Sequence, residues 1–414
     1  MLYSAYQALT DCLTPWQQAA TLTTESLRAA GWTGAAGISQ VAAACEVFAR
    51  LKLTHSRPSF GIDSVTVGQG SDAHEVAVTE QVMQRRAFGT LLRFERADVD
   101  QAGDSGHPLP KVLIVAPLSG HFATLLADTA RTMLADHDVY ITDWHNARMV
   151  PLSEGSFGLS DYVDHVIGFI EALGPNTHLV AVCQPCVPVL AAVALMAQRN
   201  HDAQPRSMTL MAGPIDCRVN PTQVNEMAVS KPIDWFERNL VHTVPLRYPG
   251  AMRRVYPGFL QLSAFVAMNP ERHKSAFQNL YTQRIAGEHD QAEATVKFYD
   301  EYFAVNDLPA EFYLETVAQV FQDYTLARGV FEVHGERIDT GAIRRTALFT
   351  VEGERDDICA IGQTVAAHDL CSGIKPWMKH HHVQLGVGHY GVFSGRRWRE
   401  QIYPRVREMI HAMS

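Results

Sequence analysis

The sequence predicts an α/β fold, a mostly parallel central sheet flanked by helices and interrupted by a helical cap insertion. Three observations carry that expectation. Short apolar runs alternate with helical segments between Lys111 and Ala212, the alternation stops near Gly213, and it resumes at Ala347. Strand–helix alternation implies crossovers, and crossovers join parallel strands.

In chain order, residues 1–74 read as an N-terminal helical extension. Leu27, Ile38, Val41, Val47 and Leu51 mark helical periods, interrupted by Gly31, Gly34 and Gly37. The first part of the core spans 75–213. It opens with strand-like runs at Glu75–Val82 and Phe88–Glu95, the first with Val76 and Val78 alternating with less apolar neighbours. A polar loop with Gly and Pro covers 98–110. Val112–Pro117 is a buried strand, Thr124–Ala135 a helix and Val139–Asp143 a second strand. Leu159–Leu173 is an amphipathic helix. A third strand, His178–Cys183, leads to a helix at Val187–Gln198, and Ser207–Ala212 is the fourth strand. Residues 214–342 are rich in aromatics and proline, with helical periods as in Glu311–Leu326, and read as a cap over a ligand site. Residues 343–414 complete the core with strands at Ala347–Glu352 and Val383–Val387 and a final helix at Arg396–Met413.

Composition bounds the function. The 414 residues allow a large core, and 47% hydrophobic with 19% charged content is that of a globular chain. A formal charge of −9 leaves no basic surplus to neutralise phosphates, which argues against general nucleic-acid affinity. No run of about 18 apolar residues predicts a membrane span. Met1–Thr24 lacks the basic and apolar regions of a signal peptide, and seven irregularly spaced cysteines are no disulfide framework. The expected compartment is therefore the cytoplasm. The sequence is compatible with a homo-oligomer.

Ligands of open α/β sheets bind beyond the carboxyl ends of the strands. There the third strand ends Ala181-Val182-Cys183-Gln184-Pro185 and runs into a helix. This resembles the nucleophile turn of the α/β-hydrolase fold, whose usual signature, G-x-S-x-G, is absent from the chain. Sulfur takes the place of the hydroxyl, and Ala181 and Pro185 take the flanking positions. Ala is small enough for the turn, and proline in a first helical turn lacks only an N–H that would be unpaired anyway. Asp356 follows the next-to-last strand and His389 the last, so Cys183, Asp356 and His389 keep the nucleophile–acid–base order of that fold. His389 would take the thiol proton, and Asp356 would fix its tautomer and stabilise the imidazolium. Asp356 is preferred to Asp357 on loop placement. The oxyanion donors expected are the backbone N–H of Gln184 and that of Leu118 or Ser119, in the loop after the first parallel strand. His121 lines the substrate site or packs beneath that loop.

Other readings compete. A free cysteine is often plain core, but Cys183 stands at a strand end with an Asp and a His in order. Cys183 and Cys186 form a C-x-x-C pair, yet a thioredoxin-like site would leave the Asp and His loops unused. Cys186 is expected to face the core. His380, His381 and His382 are adjacent and point in different directions, without a carboxylate at metal-ligand spacing, so no metal site is expected.

At these residues the chain resembles the intracellular polyhydroxyalkanoate (polyhydroxybutyrate) depolymerases. The resemblance spans nearly the whole chain and is most specific at VCQPCVP (182–188), EGERDDI (352–358) and GVGHYGVF (386–393). It also includes Met1-Leu2-Tyr3 and Asp307–Leu314. It implies a Cys-Asp-His triad at Cys183, Asp356 and His389, and hydrolysis of poly(3-hydroxybutyrate) through an acyl-thioester. No metal or organic cofactor is implied. The implied partners are the polymer granule surface and coenzyme A, which stands beside water as an acyl acceptor. The implied location is the cytoplasmic storage granule. A polyester synthase-like acyltransferase and a non-catalytic granule-coating protein are the alternatives.

Overall fold

The computed structural model describes residues 2–31, 37–68, 70–98 and 109–414. The chain enters the main sheet with β1 (Ser64–Val67), β2 (His74–Arg85) and β3 (Gly89–Arg96). There follow β4 (Lys111–Val115), β5 (Asp138–Trp144), β6 (Thr177–Val182) and β7 (Ser207–Met211). The cap contributes β8 (His242–Thr243), β9 (Arg254–Tyr256), β10 (Leu308–Pro309), β11 (Glu332–Val333) and β12 (Glu336–Arg337), and the core closes with β13 (Ala347–Gly353) and β14 (Lys379–Gln384). The main sheet has nine strands in the order β1-β2-β3-β5-β4-β6-β7-β13-β14. From β1 to β5 successive neighbours are antiparallel, and from β5 to β14 all are parallel. Because β4 pairs with β5 on one side and β6 on the other, the strand order reverses there. The crevice at such a reversal is where doubly wound sheets bind ligands.

Burial explains the run-like apolar pattern of the middle strands. Every residue of β6, β7 and β13 is buried, as expected for parallel strands covered on both faces. The covering helices include α3 (Ala127–Met133), α4 (Leu159–Leu173) and α5 (Cys186–Gln198), after α1 (Leu2–Ala29) and α2 (Ile38–Arg50) at the N-terminus. Helix α4 has the expected bounds. The Gly158 N–H donates to Asp161 at its start, and Gly174 at φ 74° ends it. Helix α5 is buried from Cys186 to Ala197, and its sequence is accordingly apolar all round.

The insertion holds α6 (Gln223–Val229), α7 (Ile233–Leu240), α8 (Gly258–Met268), α9 (Pro270–Ala286), α10 (His289–Tyr302) and α11 (Ala310–Thr316). It also holds a small antiparallel sheet, β10-β9-β8, and the β11–β12 pair, neither of which the helical periods announced. Backbone bonds tie it to the loop after β4: the Asn306 N–H donates to Gly120 at 2.8 Å. Gly120, at φ 97°, also lies where a β-carbon would meet the Gln261 side chain at 2.6 Å. Helices α12 (Ala367–Leu370), α13 (Gly395–Arg397) and α14 (Tyr403–Met413) finish the chain.

Several expectations are corrected. The extension over 1–74 holds helices α1 and α2, but β1 then joins the sheet edge beside β2. The last strand lies at 379–384 rather than 383–387, because pairing with β13 sets His380 opposite Phe349 and Gln384 opposite Gly353. Register with a buried neighbour outweighs the apolar alternation of Val383, Leu385 and Val387. The helices expected at 311–326 and 396–413 each contain a π-helical stretch, Val317–Gln322 and Trp398–Ile402. Gly34, Gln69 and most of the 98–110 loop lie outside the described residues.

Candidate active site

Cys183 directly follows β6 with φ 67°, a left-handed conformation that costs a residue with a β-carbon about 1–2 kcal/mol. Two backbone bonds hold it there. Its N–H donates to Met211 at 2.8 Å, and its carbonyl accepts from the Cys186 N–H at 3.1 Å. Gly213 makes the turn fit, since a β-carbon there would meet the Cys186 sulfur at 2.3 Å and the Cys183 carbonyl at 3.1 Å. The sulfur of Cys183 is therefore presented half-buried at the carboxyl end of the sheet.

His389 and Asp356 converge on it from the loops after β14 and β13. The Nδ1 of His389 lies 2.8 Å from Oδ2 of Asp356, and both side chains are buried. The other carboxylate oxygen accepts the N–H groups of Ile358 at 2.9 Å and Cys359 at 2.8 Å. Asp356 is thus fixed by its own loop, whereas Asp357 faces outward. Burial works against charging the His389 ring, but the Asp356 carboxylate and the Cys183 sulfur beside it prevail. The imidazole is held well above its ordinary pKa. Tyr390 and Phe393 pack edge-on against the ring, with centroids 5.9 and 5.7 Å away.

The expected oxyanion donors are neighbours. The Leu118 N–H points at the Gln184 side-chain carbonyl across 3.4 Å, a long contact that an incoming oxygen can displace. Gln184 is buried, and its side-chain nitrogen has no partner among the described residues. Ser119 is half-buried on the same loop. His121 packs at the core–cap junction: it is 3% exposed, bonds the Tyr302 carbonyl through Nε2 at 3.2 Å and stacks on Phe265. Burial pushes its pKa down to about 4. Cys186 is buried among the strands, its thiol donating to the Ala181 carbonyl at 3.4 Å. Of the histidine run, His381 bonds Thr350 at 2.9 Å, His380 approaches the Trp377 carbonyl and His382 approaches Gln384. No three side chains are clustered as metal ligands among the described residues.

A cleft of about 290 Å³ opens beside His389. Its walls include Phe265, Arg272, Phe298, Tyr302, Arg355 and Tyr390. Sequence reasoning pointed to an aromatic cap but to neither arginine. Arg355 lies inside EGERDDI next to the candidate acid, and that adjacency was the available signal. Nothing in the spacing of α9 marks Arg272.

Residues 212–414 match the family model described as PHB de-polymerase C-terminus. No curated protein matches the sequence. Solved structures of similar fold include a monoacylglycerol lipase from Paleococcus ferrophilus, 14% identical, covering 73% of this chain and 95% of that one with a TM-score of 0.43. Another is a thermophilic esterase from Thermogutta terrifontis, 12% identical, covering 84% and 98%, with a TM-score of 0.41. These likenesses are remote, and the α/β-hydrolase assignment stands on strand order and the nucleophile turn. The family match takes in the cap, Asp356 and His389 and falls just short of half of the chain, which is built on the α/β-hydrolase fold.

Proposed function

We propose that the chain hydrolyses ester bonds of a stored polyhydroxyalkanoate, poly(3-hydroxybutyrate) in the first instance, with Cys183 as nucleophile, His389 as base and Asp356 as its orienting acid. The observation that carries the reading is the buried His389–Asp356 bond beside a cysteine at a left-handed strand end.

In this mechanism His389 takes the proton of Cys183, and the thiolate adds to an ester carbonyl carbon. The resulting oxyanion is met by the N–H groups of Gln184 and Leu118. As the tetrahedral intermediate collapses, the C–O bond breaks and His389 returns its proton to the leaving alkoxide. A shortened chain with a free hydroxyl departs, and an acyl-thioester remains on Cys183. Water then adds to the thioester, giving one proton to His389, and thiolate leaves. The acid product departs, and the proton on His389 returns to the sulfur. Coenzyme A in place of water would release a thioester instead. The work would take place at the surface of the polymer granule.

The test is incubation of amorphous granules with the protein, with and without coenzyme A, followed by product analysis. Wild-type protein should release 3-hydroxybutyrate units or their coenzyme A thioesters, and Cys183→Ala should release none while remaining folded. Full activity in Cys183→Ala would overturn the assignment.

A further inference from the structure

The cleft beside His389 carries more positive than negative charge, although the chain as a whole is at −9. Its charged groups are Arg272, in the first turn of α9, Arg355, beside Asp356, and Asp357. His273 also faces the cleft, and burial lowers its pKa, which favours the neutral ring. Tyr302 and Tyr390 are pushed up by burial and stay neutral. The His389 ring, also in the lining, has its charge matched by Asp356 behind it, which leaves two guanidinium groups against the Asp357 carboxylate.

Neither guanidinium has an ion-pair or hydrogen-bond partner among the described residues. Elsewhere the chain pairs many arginines with carboxylates, as with Arg50 and Asp300, Arg57 and Glu80, or Arg399 and Asp128. Arg272 acts on the cleft tyrosines Tyr302 and Tyr390, where its charge opposes in part the rise that burial causes. Phe265, Met268 and Phe298 make part of the lining apolar. A ligand that fits has an uncharged, partly aliphatic body and an anionic end.

We propose that Arg272 and Arg355 bind the terminal carboxylate of a short hydroxyacyl chain, placing an ester bond near that end against Cys183. This rests on the function proposed above and names the form of substrate it prefers. Arginine matches a carboxylate with two parallel, charge-assisted bonds, which a neutral ester carbonyl cannot reproduce. The cleft volume, about 290 Å³, is at the low end for small-ligand sites and suits an oligomer end rather than a bundle of chains. Chain ends bearing a free acid are therefore cleaved ahead of ester-capped ones, and short acids are released.

Steady-state kinetics on the linear trimer of 3-hydroxybutyrate tests this, comparing the free acid with its methyl ester. The wild type should show a kcat/KM for the acid higher by about tenfold or more, carried mainly by KM, on the scale of a charged hydrogen bond. In the Arg272→Gln/Arg355→Gln double variant that ratio should fall close to one. Equal kcat/KM for the two trimers in the wild type, or an unchanged ratio in the double variant, overturns the proposal. If the wild type cleaves neither trimer, the hydrolytic reading fails. Calorimetric titration of Cys183→Ala with both trimers then decides the binding claim, which falls unless the acid binds more tightly.

Discussion

At the scale of single residues, the site depends on which atoms the loops hold still. Asp356 spends one oxygen on two backbone N–H groups and offers the other to His389. Asp356→Asn keeps the shape but removes the charge that holds the imidazole above its ordinary pKa. The His389 titration midpoint, followed by NMR, should therefore move down. Hydrolysis should fall by a factor on the order of 10³–10⁴, as when a triad histidine loses its carboxylate. An unmoved midpoint would mean that the Asp356 charge does not govern the His389 ring. That Cys183, Asp356 and His389 would lie together was legible because each follows a strand, and strand ends meet on one edge of a parallel sheet. The choice of Asp356 over Asp357 rested on loop placement alone. What separates them in space, two N–H groups one turn further on, has no sequence mark of its own. Arg272 was illegible for a related reason: it lies on a cap helix, and no repeat or register relates cap helices to the sheet.

At the scale of elements, long-range polar contacts decide what apolar periodicity leaves open. Helix α1 reaches the cap through several such contacts, Gln7 with Tyr248 and Asp11 with Arg247 among them, and the most buried is made by Tyr3. The Tyr3 hydroxyl donates to Asp307, which is fully buried and also accepts the Gly258 N–H at 2.9 Å. Around them, His55 lies 3.8 Å from the same carboxylate, and Arg148 lies 3.5 Å from the Tyr3 hydroxyl. Tyr3 and Asp307 are 304 positions apart, so no spacing rule connects them. Each stands in a string through which the chain resembles the depolymerases, but only the structure supplies the contact. Tyr3→Phe leaves a buried carboxylate oxygen without its donor, which costs about 1–3 kcal/mol. The expected result is a lower urea midpoint with faster proteolysis within α1. If the midpoint is unchanged, Tyr3 does not anchor α1 to the cap. The misplaced last strand shows the same principle within the core. Its histidines are polar, yet the β13 backbone and the Thr350 hydroxyl give them partners in strand conformation.

At the scale of the whole molecule, the buried histidines set how stability responds to acid. Burial pushes His121, His137, His178 and His368 down to about 4, and His55 to about 3. In the unfolded chain these rings titrate near 6.5. Between about pH 6.5 and 4 the unfolded chain therefore binds more protons at these five positions than the folded one. Stability must fall as pH falls through that window, by about 1.4 kcal/mol per pH unit for each excess proton. Buried acids act in the opposite sense, as does His389, which Asp356 holds above its ordinary pKa. Asp143 is raised to about 6, chiefly by burial, so the folded state binds its proton first and returns roughly one proton's worth of stability. Glu301, Glu315 and Asp307 are shifted in the same direction as Asp143, also chiefly by burial. The histidines stay ahead because His145, His165, His242 and His382 are lowered too. Urea unfolding at pH 7, 6 and 5 should show a midpoint that drops at each step, with the steeper loss below pH 6. Replacing His137 with Gln, which cannot charge, should flatten that slope. A midpoint that holds or rises from pH 7 to 5 would mean that the buried acids, not the imidazoles, govern the acid limb.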